Sequence, residues 1–435
     1  MPPISIDLLL HCQWVLPVVP HNQILQDHSV AIEGGRIIDI LPTTEALQKY
    51  HGEHTELLDR HILMPGLVNT HCHSSARLAR GIENTIRSNQ GQEQNATDLE
   101  SLSSDPQFIA DSINIAIAEM IKTGTTCFAE IHSAGELFIE IARKLGIRSQ
   151  ASFILQERAS AFGNNAEDYL HRGLKLRDNH ANHPLIKVAC GLTNIGDIED
   201  TTLERLGAYA NELDLPIQIQ CNESLQSIES CYKKTGLRPL QRLNNMGLLL
   251  PETQLALINY LSPEDRDLLH KTNNPIVICP QQNLAFSGKE QFTHWLSQAA
   301  NNLSLGTYRA ADLMAQITAA ANIIADNQRQ LSQTDAAHQA LRMATINGAI
   351  TLGWDREIGS IETGKYADLI AVEIDSIHHQ PLYNPATELA YNSSNSPVTH
   401  SWVAAQPLLK DGNLCTVDEQ KLIQSAKNWG NKLSN

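Results

Sequence analysis

Short apolar runs return along the middle of this chain, each followed by a stretch whose apolar residues fall three and four apart. The runs are Ile62 to Val68, Thr125 to Ile131, Arg148 to Leu155, Ile186 to Cys190, Pro216 to Cys221, Gln254 to Ile258, Pro275 to Cys279 and Asn302 to Thr307. Each has the length of a strand and the composition of one covered on both faces. Between them, Pro106 to Lys122 reads as a helix, with Asp105 suited to cap its start and Gly124 to stop it, and Thr202 to Leu213 repeats the spacing. Eight alternations of buried strand and helix predict an α/β fold, a parallel (β/α)8 TIM-type barrel. A doubly wound open sheet shares the alternation, but no GxGxxG follows the first strand, and the count of eight favours closure.

The two chain ends follow a shorter rhythm. Leu8 to Leu16 reads as a strand, and Val30 to Ile40 as two alternating runs about Gly34-Gly35, a hairpin signal. Ala367 to Val372, Val398 to Ala404 and Pro407 to Leu409 continue in the same style. The expected organisation is a small β-sandwich formed by residues 1–60 and 359–435, the latter closing with a helix, around a barrel of residues 61–358.

Composition narrows the partners. The 435 residues are 42% hydrophobic and 18% charged, enough for one large domain and a smaller one. A net charge of -16 and a pI near 5.5 argue against a nucleic-acid surface or an anionic membrane surface, since phosphate binding needs clustered Lys and Arg. A small neutral molecule or a protein partner is expected instead. The eight cysteines show no CxxC or framework spacing, which points to free thiols and a cytoplasmic location. The N-terminus has no basic region or cleavage signal, and no apolar run reaches the roughly 20 residues of a membrane span. The sequons at Asn95 and Asn302 then read as chance matches.

A parallel barrel places its chemistry at the C-terminal ends of its strands. The first strand ends in Thr70-His71-Cys72-His73, and a spacing of two points His71 and His73 to one face, into the barrel mouth. A zinc ion would need one or two further ligands.

Met64-Pro65-Gly66-Leu67-Val68-Asn69-Thr70-His71-Cys72-His73 and Gly359-Ser360-Ile361-Glu362-Thr363-Gly364-Lys365-Tyr366-Ala367-Asp368-Leu369 resemble motifs of the amidohydrolase superfamily. So do Glu119 to Phe128, Cys279-Pro280-Gln281-Gln282-Asn283-Leu284 and Ala340 to Ala349, so the resemblance spans nearly the whole chain. Within the superfamily the chain is most similar to methylthioadenosine/S-adenosylhomocysteine deaminases and related adenosine deaminase or chlorohydrolase members. The resemblance implies a barrel flanked by a β-sandwich. It also implies hydrolytic deamination by a metal-bound hydroxide, with a histidine, an aspartate and a glutamate moving protons.

Carried over by position, much of that machinery is replaced. The metal-binding histidine of the fifth strand falls on Gln220, and that of the sixth near Leu257. An amide binds zinc weakly through its oxygen, and leucine not at all. The aspartate after the eighth strand becomes Tyr308, followed by Arg309, and the histidine motif after the fourth becomes Gly191-Leu192-Thr193-Asn194-Ile195. His71, His73 and Glu223 remain, Glu223 standing where the family places its proton-shuttling glutamate. The segment Gly81 to Ser104, where relatives carry substrate contacts, reads as a polar, mobile excursion.

Several readings of these residues stay open. His71 and His73 are either a residual metal pair or relics held by hydrogen bonds, and Glu223 either keeps an altered role or is a solvated carboxylate at a helix start. Gln218, Gln220 and Asn222 would share one face if the strand persists that far, as a ligand-binding ladder or as amides filling a former metal cavity. Glu130 and His132 are candidates to complete a rebuilt zinc or iron site; Cys72, Cys190, Cys221 and Cys279 are candidate nucleophiles with buried packing as the alternative. The expected function is a degenerate amidohydrolase-superfamily protein without metal-dependent deaminase activity or cofactor. It would serve as a non-catalytic subunit or ligand-binding protein, as a homo-oligomer or beside an active relative, with Gln218, Gln220, Asn222, Thr193, Tyr308, Arg309, Glu130 and His132 around the mouth. The alternative is a hydrolase acting on a C–N bond of a purine nucleoside or other heterocycle through a rebuilt site.

Overall fold

The computed structural model describes residues 2–81, 105–131, 135–160, 162–287, 302–328, 330–392 and 397–434. Most of the expected excursion at 81–104, and His132, lie outside the described residues.

Four strands form before the barrel: β1 (Ile4–Val15), β2 (Leu25–Glu33), β3 (Arg36–Pro42) and β4 (Tyr50–Pro65). Eight parallel strands follow: β5 (Leu67–Cys72), β6 (Thr125–Ile131), β7 (Arg148–Ile154), β8 (Ile186–Leu192), β9 (Ile217–Gln220), β10 (Thr253–Ala256), β11 (Ile276–Ile278) and β12 (Leu303–Leu305). The chain then returns to the first sheet with β13 (Leu369–Glu373), β14 (Val398–Val403), β15 (Gln406–Lys410) and β16 (Asn413–Leu414). That sheet runs in the order β16-β15-β14-β13-β4-β1-β2-β3, so both chain ends build it.

The parallel strands lie in chain order and close on themselves, giving the expected (β/α)8 barrel. Closure is made at the mouth. The His71 carbonyl accepts from Thr307 N and Tyr308 N at 2.9 and 3.0 Å, and His73 N donates to the Tyr308 carbonyl at 2.7 Å. Asn69, fully buried, reinforces the seam by donating to Thr307 Oγ1 at 2.8 Å and accepting from Thr307 N at 3.1 Å. Helices cover the outside. The helix Pro106–Lys122 starts where Asp105 accepts from Gln107 N and Phe108 N, and buries Ile109, Ile113, Ile117 and Ile121.

The apolar run Ile62 to Val68 is divided between the two sheets at Gly66. A Cβ at Gly66 would fall 2.0 Å from Thr126 Oγ1, so only glycine lets the chain cross against β6. Ile62, Met64 and Leu67 all pack in the barrel's core cluster, which is why the run carries no polar break in sequence. Among the described residues no helix is long and apolar enough to cross a membrane.

Candidate functional site at the barrel mouth

β5 ends with His71 fully buried and His73 partly so, their rings 5.1 Å apart and nearly perpendicular at 81°. Both point inward, as the spacing of two predicts. Cys72, one position out of phase, turns the other way and donates its thiol to Glu130 Oε2 at 3.2 Å.

Gln220, the last residue of β9, meets the pair. Its Nε2 lies 3.3 Å from His71 Nε2 and 2.7 Å from His73 Nε2. Tyr308 covers the group, with its ring stacked on His71 at 6.2 Å and edge-on to His73 at 4.9 Å. The guanidinium of Arg309 lies 5.2 Å from the Tyr308 ring, half-buried, and burial lowers its pKa. Leu257 is fully buried in a small apolar cluster with Ala256, Val277, Cys279 and Tyr308. Burial also lowers the His71 pKa to about 4, so that ring is neutral at physiological pH.

Below the histidines the barrel axis is unusually polar. Gln218 Nε2 donates to the Thr70 carbonyl at 2.8 Å and lies 3.4 Å from Gln254 Oε1. Gln254 and Gln150 exchange two amide hydrogen bonds at 3.0 Å each. All three glutamines are buried. Gln150 and Gln254 were not singled out in the sequence because an isolated polar residue in an apolar run reads as a solvated one.

Three strand ends at this mouth hold non-glycine residues in the left-handed region: Asn222 at φ 56°, Leu257 at 58° and Tyr308 at 55°. Asparagine tolerates this; leucine and tyrosine do so at a cost of about 1 kcal/mol or more each. Their surroundings over-determine them. Asn222 O accepts from Asn259 N and Tyr260 N at 3.2 Å each, while Asn259 Nδ2 donates to the Glu223 carbonyl at 2.9 Å. Asn283 ties Asn259 to the Cys279 backbone, so three strand ends are knitted by amides.

Several expected site residues stand elsewhere. β9 stops at Gln220, and the reversed φ at Asn222 takes its side chain off the Gln218/Gln220 face, toward the Tyr260 carbonyl at 3.0 Å and Asp265 at 3.3 Å. Glu130 does not join the histidines, because its Oε2 is occupied by Cys72 and by Ser74 N at 2.7 Å. Glu223 is partly buried just before Ser224, which caps the helix Leu225–Thr235. Thr193 is half-buried beyond β8 and is not among the described partners of the histidine pair. Cys72, Cys190, Cys221 and Cys279 are free and buried, and burial pushes each thiol's pKa up, the opposite of what a nucleophile needs.

A closed parallel barrel whose first strand ends in an inward histidine pair, beside a sheet made from both chain ends, defines the class: a (β/α)8 barrel with its candidate site at the strand ends. The Amidohydrolase family model matches residues 62–414, and the chain belongs to that family. It is 36% identical to a 5-methylthioadenosine/S-adenosylhomocysteine deaminase of Teredinibacter turnerae, over 99% of this chain and 98% of that one. It is 33% identical to the protein of the same name from Saccharophagus degradans, over 98% and 97%. The crystal structure of an adenosine deaminase from Xanthomonas campestris with bound zinc matches with a TM-score of 0.90 at 29% identity, over the full length of both chains. An atrazine chlorohydrolase from Arthrobacter aurescens, at 18% identity and TM-score 0.80, shares the fold.

Zinc of the kind held by the Xanthomonas neighbour does not fit the residues present here. Gln220 lies against the Nε2 atoms of both histidines, Leu257 and Tyr308 stand just beyond β10 and β12, and among the described residues no three His, Cys, Asp or Glu side chains group to hold a metal.

Proposed function

We propose that this amidohydrolase-family chain does not carry out metal-dependent deamination and acts by binding, as a non-catalytic subunit or a holder of a small neutral molecule. The observation that carries this reading is the position of Gln220 on both histidine nitrogens, where a catalytic metal would need free lone pairs. Tyr308 and Leu257 support it, since a phenol and an alkyl chain replace groups that would ligate or move protons. The frame around the mouth is intact, so the chain folds to present a surface, either as a homomer or beside an active relative. Its eight free cysteines suit a reducing compartment such as the cytoplasm.

A second reading is favoured by a specific observation: relatives 36% and 33% identical over nearly all of the chain carry a deaminase name. Under it the chain hydrolyses a C–N bond of a purine nucleoside or related heterocycle, with Glu223 as the surviving proton-transfer group. A hydrolysis assay separates the two. Methylthioadenosine, S-adenosylhomocysteine, adenosine and a triazine are each incubated with the protein and with zinc, iron or manganese. The binding reading expects no ammonia or chloride release above the metal blank; turnover that disappears in Glu223→Gln would establish the second.

A further inference from the structure

We infer that Gln220 is an internal cation surrogate: its amide N–H groups occupy the point where the bare Nε2 lone pairs of His71 and His73 converge. On this inference one amide keeps an otherwise ligand-ready histidine pair free of metal. It rests on the binding reading above and names the residue that enforces it.

The orientation of each group follows from what its neighbours can give or accept. The Thr70 carbonyl can only accept, so the Gln218 atom 2.8 Å from it is the amide nitrogen. His71 Nδ1 has no hydrogen-bond partner among the described residues, so the proton on this ring is placed from the Nε2 side. An amide nitrogen has hydrogens to give and no lone pair to accept with, so His71 Nε2 beside Gln220 Nε2 is a bare lone pair and the ring proton sits on Nδ1. Gln220 Nε2 gives one hydrogen to it at 3.3 Å and the other to His73 Nε2 at 2.7 Å, which makes the second ring an acceptor too. Below it, Gln218, Gln254 and Gln150 share amide hydrogen bonds, so none of these three can flip alone.

Two perpendicular imidazoles with bare nitrogens aimed at one point form a cation site, and the amide supplies the partial positive charge there. Gln220→Glu changes little in shape and reverses that charge. It would place oxygen lone pairs against two nitrogen lone pairs, a donor set of two histidines and one carboxylate that a divalent cation would satisfy.

Calorimetric titration with Co2+, read together with the visible spectrum of bound Co2+, tests this. Wild type should show no saturable uptake and Gln220→Glu about one Co2+ per chain, lost again in Gln220→Glu/His71→Ala. Gln220→His serves as a second route if the glutamate variant fails to fold, with cooperative thermal melting as the check. A folded Gln220→Glu or Gln220→His that takes up no Co2+ would overturn the surrogate role and leave the binding reading standing. Saturable wild-type uptake abolished by His71→Ala would overturn the surrogate role, because the amide would then not exclude the ion. Turnover by wild type in the hydrolysis assay would instead sink the reading on which this inference rests.

Discussion

Glu130 ends β6 with no exposed surface, and burial raises its pKa to about 8, with Ser74 N and the Cys72 thiol only partly offsetting the loss of water. The native carboxyl therefore keeps its proton up to about pH 8, while the unfolded chain releases it near 4.5. Across that window the unfolded state binds fewer protons, so stability falls as pH rises and levels off above pH 8. The full swing is on the order of 5 kcal/mol at most. Urea midpoints from pH 5 to pH 8 should fall for wild type and show a shallower slope for Glu130→Gln; parallel slopes would remove Glu130 from the account. In sequence Glu130 reads as a possible ligand, because an acidic residue at a strand end carries no mark of which way it points. His71 and His73 do carry that mark, since Cys72 between them fixes the phase, and Gln220 was legible as a candidate at the barrel mouth. Its contact with both rings was not, because it depends on how far β9 lies from β5 across the barrel.

At the scale of elements, the mouth is closed by β12 passing tightly over β5. A Cβ on Gly306 would lie 2.9 Å from both the His71 carbonyl oxygen and His71 Cβ, so Gly306→Ala must push β12 away from the histidine strand. We expect a loss of about 2 kcal/mol or more in urea unfolding, with faster hydrogen exchange at Thr307 N and Tyr308 N. Asn69→Ala removes two buried hydrogen bonds from the same seam and should cost about 2 kcal/mol. An unchanged urea midpoint for either variant would show that the seam does not hold the barrel closed. Strand count and order were legible because a short run rich in apolar residues, followed by helical spacing, recurs eight times. The division at Gly66 was not: both sides of it pack into one core, and the crossing is marked only by a missing Cβ. Asn222 escaped for a related reason, since alternation extrapolates past a strand end that a reversed φ has already turned.

For the whole molecule, the end-built sheet is fastened to the barrel through a fully buried ion pair. Arg148 of β7 grips Asp368, just before β13, through Nε at 2.8 Å and Nη2 at 3.1 Å, and gives Nη1 to the Pro184 carbonyl at 2.7 Å. Asp368 also accepts from Ala404 N at 2.8 Å. Asp368→Ala would strand a buried guanidinium and should cost about 3–5 kcal/mol in equilibrium unfolding; a loss under about 1 kcal/mol would show that the two sheets hold together without it. The family frame, with Gln220 against both histidines at its mouth, carries the central proposal that this amide keeps the pair free of metal. Elemental analysis of protein purified without chelator or nickel resin tests it most directly. Zinc, iron and manganese should each stay far below one per chain, before and after incubation with excess metal. A stable content near one per chain would contradict the account and return the chain to the metal-dependent hydrolases.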